Sequence, residues 1–259
     1  MNEILEIVRT QAAPYGLNLI AAIPAARYAA TGAAAQSSLR AAHPRARSIV
    51  LLGNGGGGLW RALEAHATAH PGWWRRDHPL DDFTREVVER MMLPALEAHG
   101  LEAIAAYPFL ADPYMFNFIE LGRLAGLGGP SILGVLVHPV YGPWIAFRAA
   151  ILLDADLDSP GAAAGFDPCP SCTVRSCIPA CPVGAVTPAS GWDVPRCARH
   201  RVEVETDCAA RCHARVGCVL GPNHRYPDEE LAYHQRRSLP AMRSYYEAGA
   251  GQTKREESE

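Results

Sequence analysis

All eight cysteines of this 259-residue chain lie between positions 169 and 218. Thiolates that share one inorganic centre must converge on it, and close cysteine spacing lets one loop supply three of them without an ordered core beneath. Eight thiolates are the number that two four-cysteine clusters require. This stretch therefore predicts a loop-rich, cluster-binding module, and electron transfer is the first function to test.

The first four cysteines form a run that ends in Cys-Pro: Cys169-Pro-Ser-Cys172-Thr-Val-Arg-Ser-Cys177-Ile-Pro-Ala-Cys181-Pro182. Runs of this kind hold iron–sulfur clusters in bacterial ferredoxins, where the usual spacing is C-x2-C-x2-C-x3-C-P. Here the second gap has four residues instead of two, so the loop around the third ligand is expected to bulge. Four further cysteines complete the set: Cys197, Cys208, Cys212 and Cys218.

Disulfides, zinc and inert thiols are the other interpretations of this set. Disulfides need an oxidising compartment, and the N-terminal sequence MNEILEIVRTQAAPYG offers neither a basic n-region nor a long apolar core. Structural zinc favours paired CxxC knuckles, and only Cys169 and Cys172 form such a pair. The Cys-Pro ending and the full set of eight favour iron–sulfur clusters.

The net charge of −3 gives no reason to expect nucleic acid or an anionic membrane as a partner. No stretch of about 18 apolar residues occurs, because Arg, Pro or Gly interrupts the longest apolar strings. We therefore expect a soluble, cytoplasmic protein with no membrane partner. From residue 248 the sequence AGAGQTKREESE is small and charged, which predicts a disordered tail.

Helical and strand-like segments alternate before the cysteines. Helices are predicted over residues 4–12, 59–70 and 82–99, the last with a kink at Pro94. Strands are predicted over residues 17–20, 48–53, 102–107, 132–138 and 144–153. This alternation predicts an α/β or α+β layered domain. Gly-, Ala- and Pro-rich residues 159–167 mark a boundary, and one or two helices are expected over 228–246.

Two motifs in the first half of the chain can be explained by ordinary local structure, without a functional site. The run Gly55–Gly58 follows a strand, as a phosphate-binding loop does, but it has no GxGxxG or Gly-Lys-Ser/Thr pattern. A flexible turn, or close approach to some other cofactor, is therefore the default interpretation. Asp81 or Asp82 is predicted to cap the helix that follows. Capping then explains the segment around His78 without chemistry.

The segment from 124 to 148 is more informative. A Gly-rich turn leads to a β run, a tight His-Pro-x-x-Gly turn and another β run that carries Arg148. Such glycines let the backbone approach a flat or bulky ligand closely, Trp144 is placed to stack on that ligand, and Arg148 to hold an anionic group. The alternative is an ordinary hairpin, with His138 hydrogen-bonded at a strand end and Arg148 in a salt bridge.

The stretch from Ala111-Asp112-Pro113 through Gly128 resembles the segment of epoxyqueuosine reductases that leads into their Ala-Gly-Leu-Gly motif. In that family an Asp at the position of Asp112 is proposed to protonate substrate, and the Gly-rich turn borders a cobalamin. The family also groups eight cysteines as four, one and three, as this chain does. The resemblance implies a catalytic role for Asp112. The alternative is that Asp112 is only a turn residue before Pro113.

The segments Ile7–Pro24 and Gly134–Leu153 resemble the cobalamin-processing CblC-type proteins, and Arg148 falls on an Arg of their pocket. Cobalamin-dependent reductive dehalogenases belong to the same broad group. The resemblance implies a cofactor site formed by Gly126, Gly128, His138, Tyr141, Trp144 and Arg148. It also implies a nitroreductase-like domain over 1–158 that binds cobalamin, a ferredoxin-like module with C-terminal helices over 159–247, and the tail over 248–259.

By the crossed ferredoxin pattern, the fourth cysteine of the run serves the other cluster. The resemblance thus assigns one [4Fe–4S] cluster to Cys169, Cys172, Cys177 and Cys218, and a second to Cys181, Cys197, Cys208 and Cys212. This chain also departs from epoxyqueuosine reductases. The second cysteine group is spaced differently, Pro113 stands where that family has Thr, and no tRNA-binding repeat domain is found, so nucleic acid is not expected as a partner.

The cysteine pattern and the resemblances lead to the hypothesis that this protein is an iron–sulfur reductase. Two clusters would receive electrons from a reduced ferredoxin or flavodoxin and pass them to cobalamin, which reduces a small molecule or is itself the substrate. Asp112, in an apolar pocket that raises its pKa, would donate the proton. Two alternatives stay open: a ferredoxin-like electron carrier without a substrate of its own, and a corrinoid-handling protein that turns nothing over.

Overall fold

A four-stranded antiparallel sheet forms the centre of the N-terminal part of the chain. The computed structural model describes residues 3–110, 115–204 and 207–256, with side chains up to residue 248. The strands are β1 (Leu19–Pro24), β2 (Ser48–Gly55), β3 (Ala103–Ala106) and β4 (Ile145–Leu153). Their order is β1-β2-β4-β3, and each neighbouring pair is antiparallel. The predicted mixture of helices and strands is confirmed, as an open antiparallel sheet.

Both faces of this sheet are buried beneath helices. Because side chains alternate along a strand, Val50 and Leu52 of β2 pack into one core while Ile49 and Leu51 pack into the other. The helices whose buried residues enter the first core are α1 (Glu3–Ala12), α4 (Gly58–Ala69), α5 (Pro79–Val87) and α6 (Leu93–Glu97). Those of the second core are α2 (Ala25–Ala29), α3 (Ala33–Ala42) and α7 (Phe118–Leu124). The sheet domain therefore has three layers.

The helix predicted from Asp82 begins earlier and is less regular than expected. It starts at Pro79, whose fixed φ suits the first helical position, so His78 occupies the N-cap and neither Asp81 nor Asp82 does. The predicted kink at Pro94 takes the form of a π-helical turn over Val88–Met92, directly before α6. Proline lacks the N–H that a regular α-helix needs at that point.

The strand predicted over 132–138 is not formed. Gly134 has a φ of +73°, outside the range of an extended strand, and Ser131 Oγ donates a hydrogen bond to the carbonyl of Val135 at 2.6 Å. A tight turn replaces the strand between residues 131 and 135. Extended pairing survives only as two isolated bridges, Gly129 with Val137 and His138 with Gly142.

The cysteine module consists of short elements. They are α8 (Cys177–Ala180), β5 (Val186–Thr187), β6 (Gly191–Trp192), α9 (Val194–Glu203) and α10 (His213–Val216), with β5 and β6 paired as a small hairpin. Asp193 caps α9, because its side chain accepts a hydrogen bond from the Arg196 amide. A ferredoxin-like fold for this module stays a prediction.

The chain then enters one long helix, α11 (Asp228–Glu256), which contains Pro240. Its first half packs on α9 through Arg201, whose guanidinium donates to the Gln235 carbonyl at 2.6 Å and to Ser238 Oγ at 3.1 Å. The helix continues into residues predicted as a tail, since Ala, Gln, Lys, Arg and Glu there favour a helical backbone. The proposed domain boundaries stay predictions. Within the described ranges no helix is long and apolar enough to cross a membrane.

Candidate functional site

Four cysteines from two separate loops line one cavity of about 280 Å³, together with apolar side chains such as Leu133 and Val219. The four are Cys169, Cys172, Cys177 and Cys218. Burial raises the pKa of Cys177, and the neighbouring Cys218, Cys169 and Cys172 raise it further. Burial also raises the pKa of Cys218, with Cys169 and Cys172 adding to it. These thiols are therefore close enough to interact electrostatically, and they are the set that the crossed pattern assigns to one cluster.

The remaining cysteines form a second electrostatic group. Burial raises the pKa of Cys212, and Cys181 and Cys208 raise it further. Burial likewise raises the pKa of Cys197, with contributions in the same direction from Cys212 and Cys181. The structure thus brings together the four cysteines of the second assignment, all as thiols.

Several N–H groups point at these sulfurs. The Ala185 amide donates to Cys181 Sγ at 3.3 Å, and backbone hydrogen bonds at Arg215 and Leu220 lower the pKa values of Cys212 and Cys218, respectively. Hydrogen bonds to sulfur are one of the ways in which proteins set cluster potentials. Among the described residues, however, no three His, Cys, Asp or Glu side chains converge closely enough to hold a single metal ion.

The widened gap between Cys172 and Cys177 has a distinctive backbone. Arg175 is the one non-glycine residue in the described ranges with a positive φ, 45°, and its Nε donates to the Cys172 carbonyl at 3.0 Å. Ser176 Oγ donates to the Gly217 carbonyl at 2.5 Å, which ties this loop to the one that carries Cys218. The two extra residues are thus accommodated by a left-handed turn.

The predicted cofactor glycines contact the chain itself. Gly126 ends α7 with a φ of +66°, and a Cβ there would lie 2.9 Å from the Gly161 carbonyl oxygen. A Cβ on Gly128 would lie 2.7 Å from Leu136 Cβ. Close backbone approach is indeed the reason for both glycines, but the partners are loops of the protein.

His138 and Tyr141 lie together at the end of the tight turn. His138 is buried, and its Nδ1 accepts hydrogen bonds from the amides of Val140 and Tyr141 at 3.1 and 3.4 Å. Burial, together with His224, lowers the pKa of His138. The Tyr141 hydroxyl accepts from Asn18 Nδ2 at 3.2 Å, and its ring lies 5.1 Å from that of His138. His138 is hydrogen-bonded, as the alternative interpretation predicts, but at an isolated bridge with Gly142 and not at the end of a strand.

Arg148 is the extra residue of a β-bulge. The register of β2 and β4 shifts between Leu52 and Gly53, so Arg148 has no partner across the sheet, and the bulge turns its side chain toward α5. Its guanidinium donates to Asp81 Oδ1 at 2.6 Å and to Thr84 Oγ1 at 3.1 Å. The salt bridge expected for a simple hairpin is therefore present, although the bulge was not anticipated.

Trp144 is fully buried beneath the C-terminal part of the chain. Its ring lies 5.6 Å from the Tyr226 ring and 5.0 Å from the Arg215 guanidinium, while its Nε1 has no hydrogen-bond partner. Arg215 itself donates to the Pro143 carbonyl at 2.6 and 3.0 Å. Trp144 therefore packs against protein, edge to face with Tyr226, and its indole N–H is a buried donor without a hydrogen-bond partner.

The six predicted cofactor residues are not brought into one shared environment. The two glycines contact the loop around Gly161 and Leu136, His138 and Tyr141 contact each other, and Trp144 and Arg148 are covered by Tyr226 and α5. As arranged here they do not fit a bound corrinoid. Asp112 lies outside the described residues, so its proposed catalytic role stays a prediction.

Sequence reasoning missed a buried carboxyl on α11. Glu230 is 1% exposed, its Oε2 has no hydrogen-bond partner, and burial raises its pKa to about 8. His234, one turn further along, has its Nε2 3.7 Å from Glu230 Oε1. Burial lowers the His234 pKa to about 3, with Arg148 and Arg215 acting in the same direction. A Glu and a His four residues apart are the only sequence signal, and it is a weak one.

No protein-family model and no curated protein matches this sequence. Solved structures do. An epoxyqueuosine reductase in complex with an epoxyqueuosine-modified tRNA stem loop has a TM-score of 0.54 at 15% identity, over 88% of this chain and 68% of that one. The B12-trafficking protein CblC of C. elegans has a TM-score of 0.53 at 13% identity, over 90% of both chains.

A reductive dehalogenase with a B12-dependent mechanism is less similar, with a TM-score of 0.47 at 17% identity over 89% of this chain and 33% of that one. The epoxyqueuosine reductase and CblC structures belong to the group that the sequence motifs predicted. At these identities the likeness establishes the fold.

Proposed function

We propose that this chain is an iron–sulfur oxidoreductase that passes electrons through two four-cysteine clusters to an acceptor bound by the sheet domain. The observation that carries the proposal is the division of the eight thiols into two electrostatic groups of four. Each group draws its cysteines from separate loops, as the crossed ferredoxin arrangement does. Neither a single zinc site nor a set of inert thiols would require two such groups of four cysteines, which we call the first quartet (Cys169, Cys172, Cys177 and Cys218) and the second quartet (Cys181, Cys197, Cys208 and Cys212).

The residues around the thiols fit iron–sulfur clusters. Cys169, Cys172, Cys177 and Cys218 would hold one, around the cavity of about 280 Å³. Cys181, Cys197, Cys208 and Cys212 would hold the other. Such clusters supply one-electron transfer, and the N–H groups directed at sulfur, including that of Ala185, favour the thiolate form that ligation requires.

The acceptor is proposed from the fold. Similarity in fold to a B12-trafficking protein, over 90% of both chains, favours a corrinoid. Against it, Arg148 is already paired with Asp81, and Trp144 is covered by Tyr226. We therefore propose, on the likeness in fold alone, a corrinoid or a small molecule reduced through it as the acceptor, and we assign to it none of the six predicted cofactor residues and no step.

A second candidate function is corrinoid handling without turnover of a further substrate. The near-equal coverage of this chain and of CblC favours it, whereas the two cysteine quartets favour a reductase. Epoxyqueuosine reductase shares the fold and binds a tRNA stem loop, but the net charge of −3 does not suit a nucleic-acid partner. RNA belongs in the test as a competitor.

The cluster half is tested by anaerobic reconstitution with iron and sulfide. Wild type should bind about eight irons, and Cys177→Ser and Cys212→Ser should each lose about half of them and a different EPR signal. Ser190→Ala, in the same module, is the matched control and should keep all of them. Fewer than about four irons in wild type, or loss of both signals from either cysteine variant, would contradict two independent clusters.

The acceptor half is tested by titrating the reconstituted protein with hydroxocobalamin and following absorbance. Saturable binding, with cobalt reduced only when the clusters are reduced first, supports the reductase. Binding without reduction through the clusters supports corrinoid handling. No binding, with eight irons intact, leaves an electron carrier on this scaffold. A tRNA stem loop should not compete with the corrinoid.

A further inference from the structure

Two exposed valines lie beside the first cysteine quartet. Val174 is 65% exposed and Val219 is 43% exposed, and both line the cavity that contains Cys169 and Cys172. Val174 stands in the widened gap of the cysteine run, and Val219 directly follows Cys218. Large apolar side chains left in water next to a redox centre point to a surface that is covered in a transient encounter.

These valines are held in position by the loops that carry them. Arg175 adopts a φ of 45° and donates from Nε to the Cys172 carbonyl, while Ser176 Oγ bonds the Gly217 carbonyl. Strained backbone persists where surrounding contacts over-determine it, and it concentrates at functional sites. The bulge therefore presents Val174 and Val219 as one fixed patch.

The charge around this patch is positive. Arg175 and Arg225 are exposed. Arg225 donates to the Val216 carbonyl at 2.8 Å, two residues before Cys218, so it lies close to the quartet. Residues 166–226 contain seven arginines against five acidic residues, in a chain whose net charge is −3. Asp167 is the acidic residue that shares a surface groove with Arg175, and two arginines outweigh it.

The two quartets are alike in the burial of their thiols, since each has one buried cysteine, Cys177 or Cys208, and three that are partly exposed. What distinguishes the first quartet is the cavity that it lines beside the exposed Val174 and Val219. A carrier that docks on apolar surface therefore has a surface to cover at the first quartet.

We propose that Val174, Arg175, Val219 and Arg225 form the docking site of a small acidic one-electron carrier protein. The inference rests on the proposed function and names where its electron donor binds. In each encounter the reduced carrier gives up one electron and the first cluster gains it, with no bond made or broken. Electron-transfer encounters bury little surface and are steered by charge, which suits two valines flanked by two arginines.

The test uses the full chain, reconstituted with iron and sulfide and mixed anaerobically with reduced flavodoxin. The rate of cluster reduction should fall as ionic strength rises. Arg175→Glu/Arg225→Glu should lower the second-order rate constant about ten- to hundredfold at low salt. Val174→Glu, which removes no hydrogen bond, should lower it as well. In Val174→Glu, reduction by dithionite and iron content should stay as in wild type. The arginine variant also loses the bonds to the Cys172 and Val216 carbonyls, so its rate is compared at equal iron content.

The matched control is Arg90→Glu, a charge reversal of an exposed arginine in the sheet domain, which should leave the rate unchanged. Equal rates in all variants would overturn the docking site and leave the two-cluster function standing. An equal fall with Arg90→Glu would also overturn it, by showing a general charge effect. Self-association that Val174→Glu abolishes would assign the patch to a second copy of the chain. A wild type without iron would remove the proposed function as well.

Discussion

The sheet domain and the cysteine module differ in what stabilises each of them. In the described residues the sheet domain has two large apolar cores, one on each face, built from residues such as Leu51 and Leu52. The core of the cysteine module is small: Cys177, Val186 and Ala214 pack with Leu133, which the preceding part of the chain supplies. Further cysteines pack against it: Cys181, Cys212 and Cys218. One domain is stabilised by burial, whereas the other uses its proposed ligands as its core.

The difference has a thermodynamic consequence. A small unit without a sufficient apolar core usually needs a metal, a disulfide or a partner in order to fold. Binding free energy then becomes folding free energy. The sheet domain should accordingly be stable whatever the cysteines bind, while the module should depend on its clusters.

Removal of iron should produce the largest difference in stability between the cysteine module and the sheet domain. Anaerobic chelation of the reconstituted protein should raise the rate of proteolysis between residues 166 and 225 by about tenfold or more, because the module loses most of its stability. Cleavage within 19–106 should not accelerate. Mass spectrometry of the early fragments measures both rates. Equal acceleration in both regions, or in neither, would contradict the contrast.

A cavity in the sheet core tests the contrast from the other side. Leu51 is fully buried, so Leu51→Ala should lower the free energy of unfolding by about 2–5 kcal/mol, measured by urea denaturation. The iron content of the folded protein should not change. Ile119→Ala, at a residue 55% exposed on α7, is the control and should cost about 0.5 kcal/mol or less. Loss of iron in the Leu51 variant would show that the module needs the sheet core.

Local patterns predicted much of this structure. The apolar runs at 48–53 and 144–153 correspond to β2 and β4, because strands buried on both faces read as continuous apolar sequence. The cysteine grouping, predicted from spacing and resemblance, stays a prediction, and the thiols that raise one another's pKa fall into the same two sets. The strand at 132–138 failed because one glycine with a positive φ redirects the backbone.

Other features depend on distant parts of the chain and leave little trace in a local pattern. The bulge at Arg148 arises from the register that β4 adopts opposite Gly53, where a Cβ would lie 2.7 Å from the Ala146 carbonyl oxygen. Glu230 and His234 belong to a polar stretch, in which Glu230 is buried and His234 is partly buried because the stretch packs over Trp144 and Tyr226. Burial that arises from packing between distant segments cannot be predicted from the hydrophobic periodicity of either segment.

The seam where α11 meets the sheet domain contains groups whose ionisation opposes folding. Burial raises the pKa of Glu230 from 4.5 to about 8, while Arg215 and Arg61 lower it and Glu64 raises it. Burial lowers the pKa of His234 from 6.5 to about 3. Between these values both side chains are neutral, so their contact of 3.7 Å is not an ion pair.

The two groups give opposite pH dependences. A carboxyl that holds its proton more tightly when folded favours the native state fully below pH 4.5 and loses that contribution as the pH rises toward 8. A histidine that stays neutral when folded contributes above pH 6.5 and loses that contribution as the pH falls toward 3. Between pH 4.5 and 6.5 the two slopes cancel, and above 6.5 only the slope from Glu230 remains.

Replacing the Glu230 carboxyl should therefore remove its contribution to the pH dependence of the unfolding free energy. Between pH 6.5 and 8 wild type should lose about 1–2 kcal/mol of unfolding free energy through Glu230, and Glu230→Gln, which cannot ionise, should not show that loss. Glu229→Gln, the exposed neighbour, should keep the wild-type slope. Urea denaturation of the iron-loaded protein at the two pH values measures it. Parallel slopes in all three proteins would mean that Glu230 is solvated, and that α11 does not close the sheet domain from water at this point.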